Sequence, residues 1–258
     1  MVHLKTSIIS NDSISDCFYK MDFLWDDKSI PLPAQFCTIR VSNSSTPLLR
    51  RPFAFASYNP NTKTASIIYK KIGPATQILS SKKKNEELDV IGPLGNSFIE
   101  FLPNQPSKII LIAGGTGIGP IFFFGQYLKQ INLTPIVITG YRTKSNIPTI
   151  DFSLNPVICT DDGTEGISQT PIDYLENFIK EQTNNLILFC CGPKPLLFAC
   201  HNWAQKKGIN CFAAFEQTMA CGVGACMGCV IKIKDKEESY ARICKEGPVF
   251  DTRRIIWI

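Results

Sequence analysis

Four cysteines toward the C-terminal end of the sequence constrain its folding more than any other feature. Cys221, Cys226, Cys229 and Cys244 are spaced C-x4-C-x2-C-x14-C, and the first three sit in the run Cys-Gly-Val-Gly-Ala-Cys-Met-Gly-Cys. A chain that gathers three thiols on one short Gly-rich loop and recruits a single distant one is built to wrap a compact inorganic core. This is the plant-type ligand spacing of a [2Fe–2S] cluster. Gly222, Gly224 and Gly228 suit such a loop, because glycine accepts positive φ and lets backbone N–H groups face sulfur. Structural zinc is the alternative use of four cysteines, but zinc sites pair two short C-x2-4-C knuckles. An iron–sulfur cluster handles one electron at a time, so the pattern points to an electron carrier. Plant-type clusters have potentials near about −400 mV, and hydrogen bonds local to the site must adjust them.

Composition matters here for what it excludes. At 258 residues, 44% hydrophobic and 19% charged, the chain is globular with room for more than one domain. Of its eleven cysteines, those outside the ligand pattern (Cys17, Cys37, Cys159, Cys190, Cys191, Cys200 and Cys211) lie mostly in apolar runs. There a free thiol behaves as a small buried hydrophobe. Met1–Asp12 is polar-interrupted and does not read as a secretory signal, so a cytoplasmic location is expected and a disulfide framework is not. The net charge of +5 is mild, and Lys82–Lys84, the one dense basic run, reads as a solvated loop rather than a nucleic-acid patch. Ile109 to Leu128 is uncharged and has the length of a membrane span. Gly114, Gly115, Gly117, Gly119, Pro120 and Gly125 interrupt it, so a buried strand, a Gly-rich turn and a helix are the better reading.

Two rhythms divide the chain. Short β-branched or alternating runs at Leu4–Ile9, Cys17–Leu24, Phe36–Val41, Phe53–Ser57, Ala65–Tyr69 and Glu87–Ile91 are separated by turn signals, with almost no helix between them. They predict an antiparallel barrel over residues 1–100. From about residue 105, strands at Lys108–Ala113, Pro135–Thr139, Asn155–Thr160 and Leu186–Cys191 alternate with helix-length segments such as Thr170–Glu181 and Pro195–Lys207. That alternation predicts a parallel-sheet nucleotide-binding domain over 101–210. A further strand, Ile209–Phe215, leads into a small cysteine lobe over 211–258. The expected fold class is therefore multi-domain, β plus α/β. Two loops after strands carry a ligand signal. Gly114-Gly115-Thr116-Gly117 opens onto a helix, where glycines admit a pyrophosphate to the helix N-terminus, although Pro120 spoils the strict G-x-G-x-x-G fingerprint. Cys191-Gly192-Pro193 ends a later strand at the same sheet edge. Arg142 and Lys144 after the second parallel strand favour a 2′-phosphate, while Asp161-Asp162 after the third favours a free ribose hydroxyl and hence NAD.

Taken together, these segments resemble one family over essentially the whole chain: the electron-transfer subunits of class B dihydroorotate dehydrogenase, which are ferredoxin-reductase-like flavoproteins. The resemblance rests on Pro47–Pro52, Ile67–Lys70, Val90–Asn96, the Gly114–Pro120 loop, Cys191–Pro193, Met219–Cys229 and Tyr240–Phe250. It implies an FAD-binding barrel with Arg51, Pro52, Phe53 and Ala54 along the flavin, then Ile68, Tyr69 and Lys70, then Ala75 and Thr76. Ala54, Lys70 and Ala75 depart from the family's hydroxyl residue, arginine and glycine. Tyr69 reads equally as a barrel core residue. The resemblance implies NAD at the two glycine loops and a [2Fe–2S] cluster on the four cysteines. It also implies a partner, an FMN-containing dihydroorotate dehydrogenase catalytic subunit, in a heterotetramer with two copies of each chain, serving pyrimidine biosynthesis. No side chain is assigned a catalytic role. Two other readings stay open: a reductase module of the same architecture serving a hydrogenase or a ferredoxin–nicotinamide oxidoreductase, and a non-catalytic iron–sulfur redox sensor.

Overall fold

A computed structural model describes residues 1–104, 108–150, 153–179, 186–235 and 238–257. The first part builds on period-two alternation. Strands β1 (Val2–Ser13), β2 (Phe18–Leu24), β3 (Phe36–Arg40), β4 (Arg51–Asn59), β5 (Thr64–Lys70) and β6 (Glu87–Leu94) close into an antiparallel barrel in the order β1-β2-β5-β4-β3-β6. Every second residue points inward, so Met21, Phe23 and Trp25, Cys37 and Ile39, Ile67 and Tyr69, and Leu88 and Val90 form one buried core. Closure leaves no free strand edge. One helix interrupts the barrel sequence where almost none was expected: α1 (Pro74–Ser81), with Pro74 at its first turn after Gly73. Its pattern is short, but proline at the first helical position after a glycine was a readable start signal.

The second part is a doubly covered sheet. Strands β7 (Lys108–Gly114), β8 (Ile136–Tyr141), β9 (Val157–Thr160), β10 (Leu186–Cys191) and β11 (Asn210–Ala214) are parallel, with helices α2 (Ile118–Gln130), α3 (Pro171–Phe178) and α4 (Lys194–Lys207) in the crossovers. Lys180 and Glu181, the end of the expected third helix, lie outside the described residues. Strand β7 shows why its run is apolar throughout. Ile109, Leu111 and Ala113 pack with α2 toward the barrel, and Ile110 and Ile112 pack with α3 and α4 on the other face. The uncharged stretch from Ile109 is thus strand, turn and helix, and no helix among the described residues is long and apolar enough to cross a membrane.

The last part returns to both neighbours. A hairpin of β12 (Val230–Lys234) and β13 (Glu238–Arg242) follows the cysteine loop, and β14 (Val249–Asp251) then pairs antiparallel with β11, giving the sheet order β14-β11-β10-β7-β8-β9. The lobe's core joins Met219, Cys229, Ile233, Ile243, Cys244 and Phe250 to Phe36 and Leu94 of the barrel. Asn96 ties the two together. Its side chain donates to the carbonyls of Glu246 (3.2 Å) and Val249 (2.9 Å) and accepts from Val249 N–H (2.8 Å). Gly95 beside it has φ +76°, and a Cβ there would stand 2.5 Å from Pro248 Cδ. The Gly-Pro-Leu-Gly-Asn and Gly-Pro-Val segments therefore form an interdomain clasp.

Candidate functional site

The order of the parallel strands reverses between β7 and β10, and ligands of such sheets lie at that switch point, beyond the strand C-termini. The loops after both strands meet there, since Ala113 and Cys191 are register partners. A cleft of about 1150 Å³ opens at this edge and runs to the outer wall of the barrel. Arg51, Pro52, Phe53, Ala54, Ile68, Tyr69, Lys70, Ala75 and Thr76 line it from the barrel side. Gly114, Gly115, Thr116, Gly117, Cys191, Gly192 and Pro193 line it from the sheet side. The residues proposed along the flavin and at the two glycine loops thus border one cavity, although they come from distant parts of the chain.

Local structure separates neighbours that the sequence reads alike. Arg50 is committed to the barrel: its guanidinium meets Asp89 Oδ1 at 2.7 Å, and both side chains are largely buried. Arg51 is the arginine of that pair that borders the cleft. Tyr69 is a core residue of the barrel, stacked on Tyr19 at 5.6 Å, with its hydroxyl donating to Asn11 Oδ1 at 2.8 Å. Burial pushes that phenol well above its ordinary range. Ala75 and Thr76 occupy the first turn of α1, where backbone N–H groups have no intrahelical partner. Thr76 Oγ1 accepts from Ile72 and Gly73 N–H, bending the chain into the helix.

The glycines of the first loop have unequal tasks. A Cβ on Gly117 would lie 2.1 Å from the Cys191 carbonyl oxygen, and one on Gly114 would lie 2.7 Å from Leu196 Cδ2. Gly119 faces Ala56 of β4, where a Cβ would stand 3.1 Å away, so it seats α2 on the barrel. Gly115 alone of the four is open, with φ +56° and nothing within 4 Å of an added Cβ. Packing therefore accounts for most of a glycine pattern that looks like a phosphate motif. Of the four charged candidates for the nucleotide ribose, Lys144 is paired with Glu165 at 2.9 Å and Asp162 is held by Thr164 at 2.7 Å. Arg142 and Asp161 border the cleft. Glu216, just past β11, also borders it and went unnoticed in the sequence; a charged residue at the end of a parallel strand was the available signal. Burial raises its carboxyl above the ordinary range, and burial together with that carboxylate pushes the Cys191 thiol up.

The cysteine loop abuts the cleft through Met219, which lines the cavity and packs with Cys229 and Cys244. Gly222 and Gly224 take positive φ (+70° and +86°), and so does Met227 at +56°. The thiols form two pairs. Cys226 N–H lies 3.4 Å from Cys221 Sγ, and Cys229 Sγ lies 3.3 Å from Cys244 Sγ. Among the described residues no three metal-binding side chains converge on a single ion. Two pairs are what a two-iron centre takes, two thiolates to each iron. Burial opposes ionisation of Cys221, yet the N–H of Val223, the Cys226 thiol and the N–H groups of Cys226 and Ala225 hold it down at about 6. Cys244 is pushed up to about 12 by burial and by the neighbouring Cys229. Arg242 closes the loop by donating to the Gly224 carbonyl at 2.5 Å while paired with Glu246. The residues present fit a [2Fe–2S] cluster.

A closed barrel beside a nucleotide sheet, with the cleft between them, defines the ferredoxin-reductase class of flavoprotein fold, here carrying an iron–sulfur lobe. Solved structures agree. A chain of an NADH-dependent reduced ferredoxin-NADP oxidoreductase superposes with a TM-score of 0.83 at 22% identity, covering 98% of this chain and 90% of that one. A ferredoxin NADP+ reductase from Neisseria gonorrhoeae gives 0.66 at 13% identity over 84% and 95%. Residues 216–256 match the model of the iron–sulfur cluster binding domain of dihydroorotate dehydrogenase B. The electron transfer subunit of dihydroorotate dehydrogenase B (NAD(+)) from Bacillus pumilus is 31% identical over 96% of both chains. That from Caldanaerobacter subterraneus subsp. tengcongensis is 32% identical over 98% of both. The chain belongs to the family of dihydroorotate dehydrogenase B electron transfer subunits, which distinguishes it from other reductase modules of the same architecture.

Proposed function

We propose that this chain is the electron-transfer half of a cytoplasmic two-subunit oxidoreductase of pyrimidine biosynthesis. Electrons taken from dihydroorotate on a partner's FMN reach NAD⁺ by way of a [2Fe–2S] cluster and FAD, within a heterotetramer. The observation that carries this reading is the shared wall: Met219 belongs to the cleft and to the core around Cys229 and Cys244. When bound, FAD supplies the conversion between single electrons and the electron pair that nicotinamide requires. Arg51 and the free N–H groups at the start of α1 hold its pyrophosphate, the guanidinium by charge and the helix by its dipole. Pro52, Phe53 and Ala54 set the wall along the ring, and Lys70 adds a point charge at the rim. Gly115, Thr116 and Gly117, at the start of α2, receive the nicotinamide nucleotide's pyrophosphate. Cys191, Gly192 and Pro193 bound the nicotinamide side. Asp161 accepts from a ribose hydroxyl, which favours NAD.

The test is reconstitution. The isolated chain is expected to reduce artificial acceptors with NADH and to show no activity on dihydroorotate. Addition of a dihydroorotate-oxidising FMN subunit from the same organism restores dihydroorotate-dependent NAD⁺ reduction. Orotate formation by the isolated chain would overturn the relay.

A further inference from the structure

Thr38 stands where the flavin barrel meets the cysteine lobe. Its strand neighbours Cys37 and Ile39 point into the barrel core, whereas Phe36 belongs to the core of the lobe. Alternation puts Thr38 on the face of Phe36. Its cross-strand partners are Pro52, which borders the cleft, and Ile91, which packs against the lobe. Strand β6 bulges opposite it: Phe36 pairs with Leu94 but Thr38 pairs with Ile91, so β6 spends an extra residue at Gly92-Pro93. Bulges of this kind re-aim side chains beside functional sites.

The lobe covers Thr38 almost completely, leaving it 1% exposed. Over it lies Gly222, the residue after ligand Cys221; a Cβ on Gly222 would stand 2.7 Å from Thr38 Cγ2. Yet Thr38 Oγ1 has no hydrogen-bond partner among the described residues. A buried hydroxyl without a partner is destabilising, and valine would fill nearly the same shape without that cost. No oxygen and no cysteine sulfur among the described residues bonds the Thr38 hydroxyl. The Thr38 methyl faces Gly222, and the loop that carries Gly222 is the one whose cysteines fit a sulfide-bridged centre.

We infer that the Thr38 hydroxyl donates a hydrogen bond to an inorganic sulfide of the iron–sulfur centre held beside Cys221, so that the barrel strand beside the flavin sets the potential of the centre that exchanges electrons with it. This rests on the reading of the four cysteines as [2Fe–2S] ligands. Reduction adds one electron and no proton to the centre, and a hydrogen bond to its sulfur stabilises the more negative, reduced form. Thr38 therefore raises the potential. The same geometry explains why position 222 admits no side chain.

The experiment is a redox titration of the anaerobically purified full chain, followed by electron paramagnetic resonance, for wild type, Thr38→Val, Thr38→Ala and Thr38→Ser. The two non-donors are expected to disfavour cluster reduction by roughly tenfold, a fall of about 59 mV for a one-electron couple. Thr38→Ser keeps the wild-type potential, and the FAD potential is unchanged in all of them. Iron–sulfur stretching frequencies of wild type and Thr38→Ser shift in D₂O more than those of the non-donors. If Thr38→Val crowds the loop and loses iron, Thr38→Ala reads the same effect without the bulk. Wild-type potential and D₂O response in a non-donor overturn the inference. A wild-type protein without a [2Fe–2S] spectrum overturns the cluster reading itself, before any variant is made.

Discussion

The cysteine lobe and the cofactor cleft lie against each other but are assembled in opposite ways. Three of the lobe's four candidate ligands fall within Cys221–Cys229, and one return of the chain brings Cys244 to Cys229 at 3.3 Å. The cleft draws its walls from Phe18 to Pro248, across the barrel, α1, the ends of β7 and β10, and the segment after β11. Its shape therefore depends on how closely separate elements pack, down to the clearance of single carbon atoms. A locally encoded site fails when a ligand is lost and tolerates change nearby. A distributed site fails when its supports shift, even where no cofactor is touched.

Replacement of Cys226 by serine breaks this comparison most sharply. It is expected to abolish almost all bound iron and acid-labile sulfide while leaving the flavin spectrum and NADH-to-dye activity near wild type. Metal and sulfide analysis of anaerobically prepared protein reads the first, and absorbance the second. Loss of flavin as well would mean that the two regions are one cooperative unit.

The reverse experiment is Gly117→Ala. A Cβ placed 2.1 Å from the Cys191 carbonyl oxygen meets the backbone of the Cys191–Gly192 peptide, so the loop must move. A stability loss of about 3 kcal/mol is expected by denaturant titration, at the upper end of ordinary overpacking, with NADH binding weakened and iron content retained. Gly115→Ala sharpens the point: the new methyl meets nothing, and only its positive φ opposes it, at about 1 kcal/mol.

Asn96→Ala tests the seam between the two regions. It removes the three side-chain hydrogen bonds to the Glu246–Val249 segment, and a loss of about 2 kcal/mol is expected at typical net values. Hydrogen exchange at Val249 N–H should rise before that of the barrel core.

The smallest effect is the most local. Burial favours the neutral form of Asp89, but Arg50 and His3 outweigh it and hold the carboxyl below its ordinary range. Its folded pKa is depressed, so its contribution is present above the unfolded-state carboxylate pKa and is lost as pH falls through the lower folded value. Arg50→Ala should cost about 1 kcal/mol or less near neutral pH. That difference should vanish in acid, which melting temperatures across the acidic range would reveal.

Sequence alone determined the elements whose signal is short-range. Alternation marked the barrel strands, the apolar run marked β7, and the thiol spacing singled out the cysteines of the lobe, because neighbours along the chain carry that information. It misjudged α1, whose single proline-led start was outweighed by the strands around it, and it did not foresee the positive φ of Met227. Tertiary structure decided which of two adjacent residues serves which purpose. Arg50 went to the ion pair and Arg51 to the cleft, Lys144 and Asp162 were drawn into surface pairs, and Gly114, Gly117 and Gly119 were spent on close packing while Gly115 stayed open. Thr38 is the extreme case: nothing near it in sequence distinguishes it from an ordinary strand threonine. Only the folding of the lobe over β3 leaves its hydroxyl buried with no partner among the described residues and its methyl against Gly222. A residue's local preference is set by the chain on either side of it, but its partner is set by whatever long-range packing brings within a few ångströms.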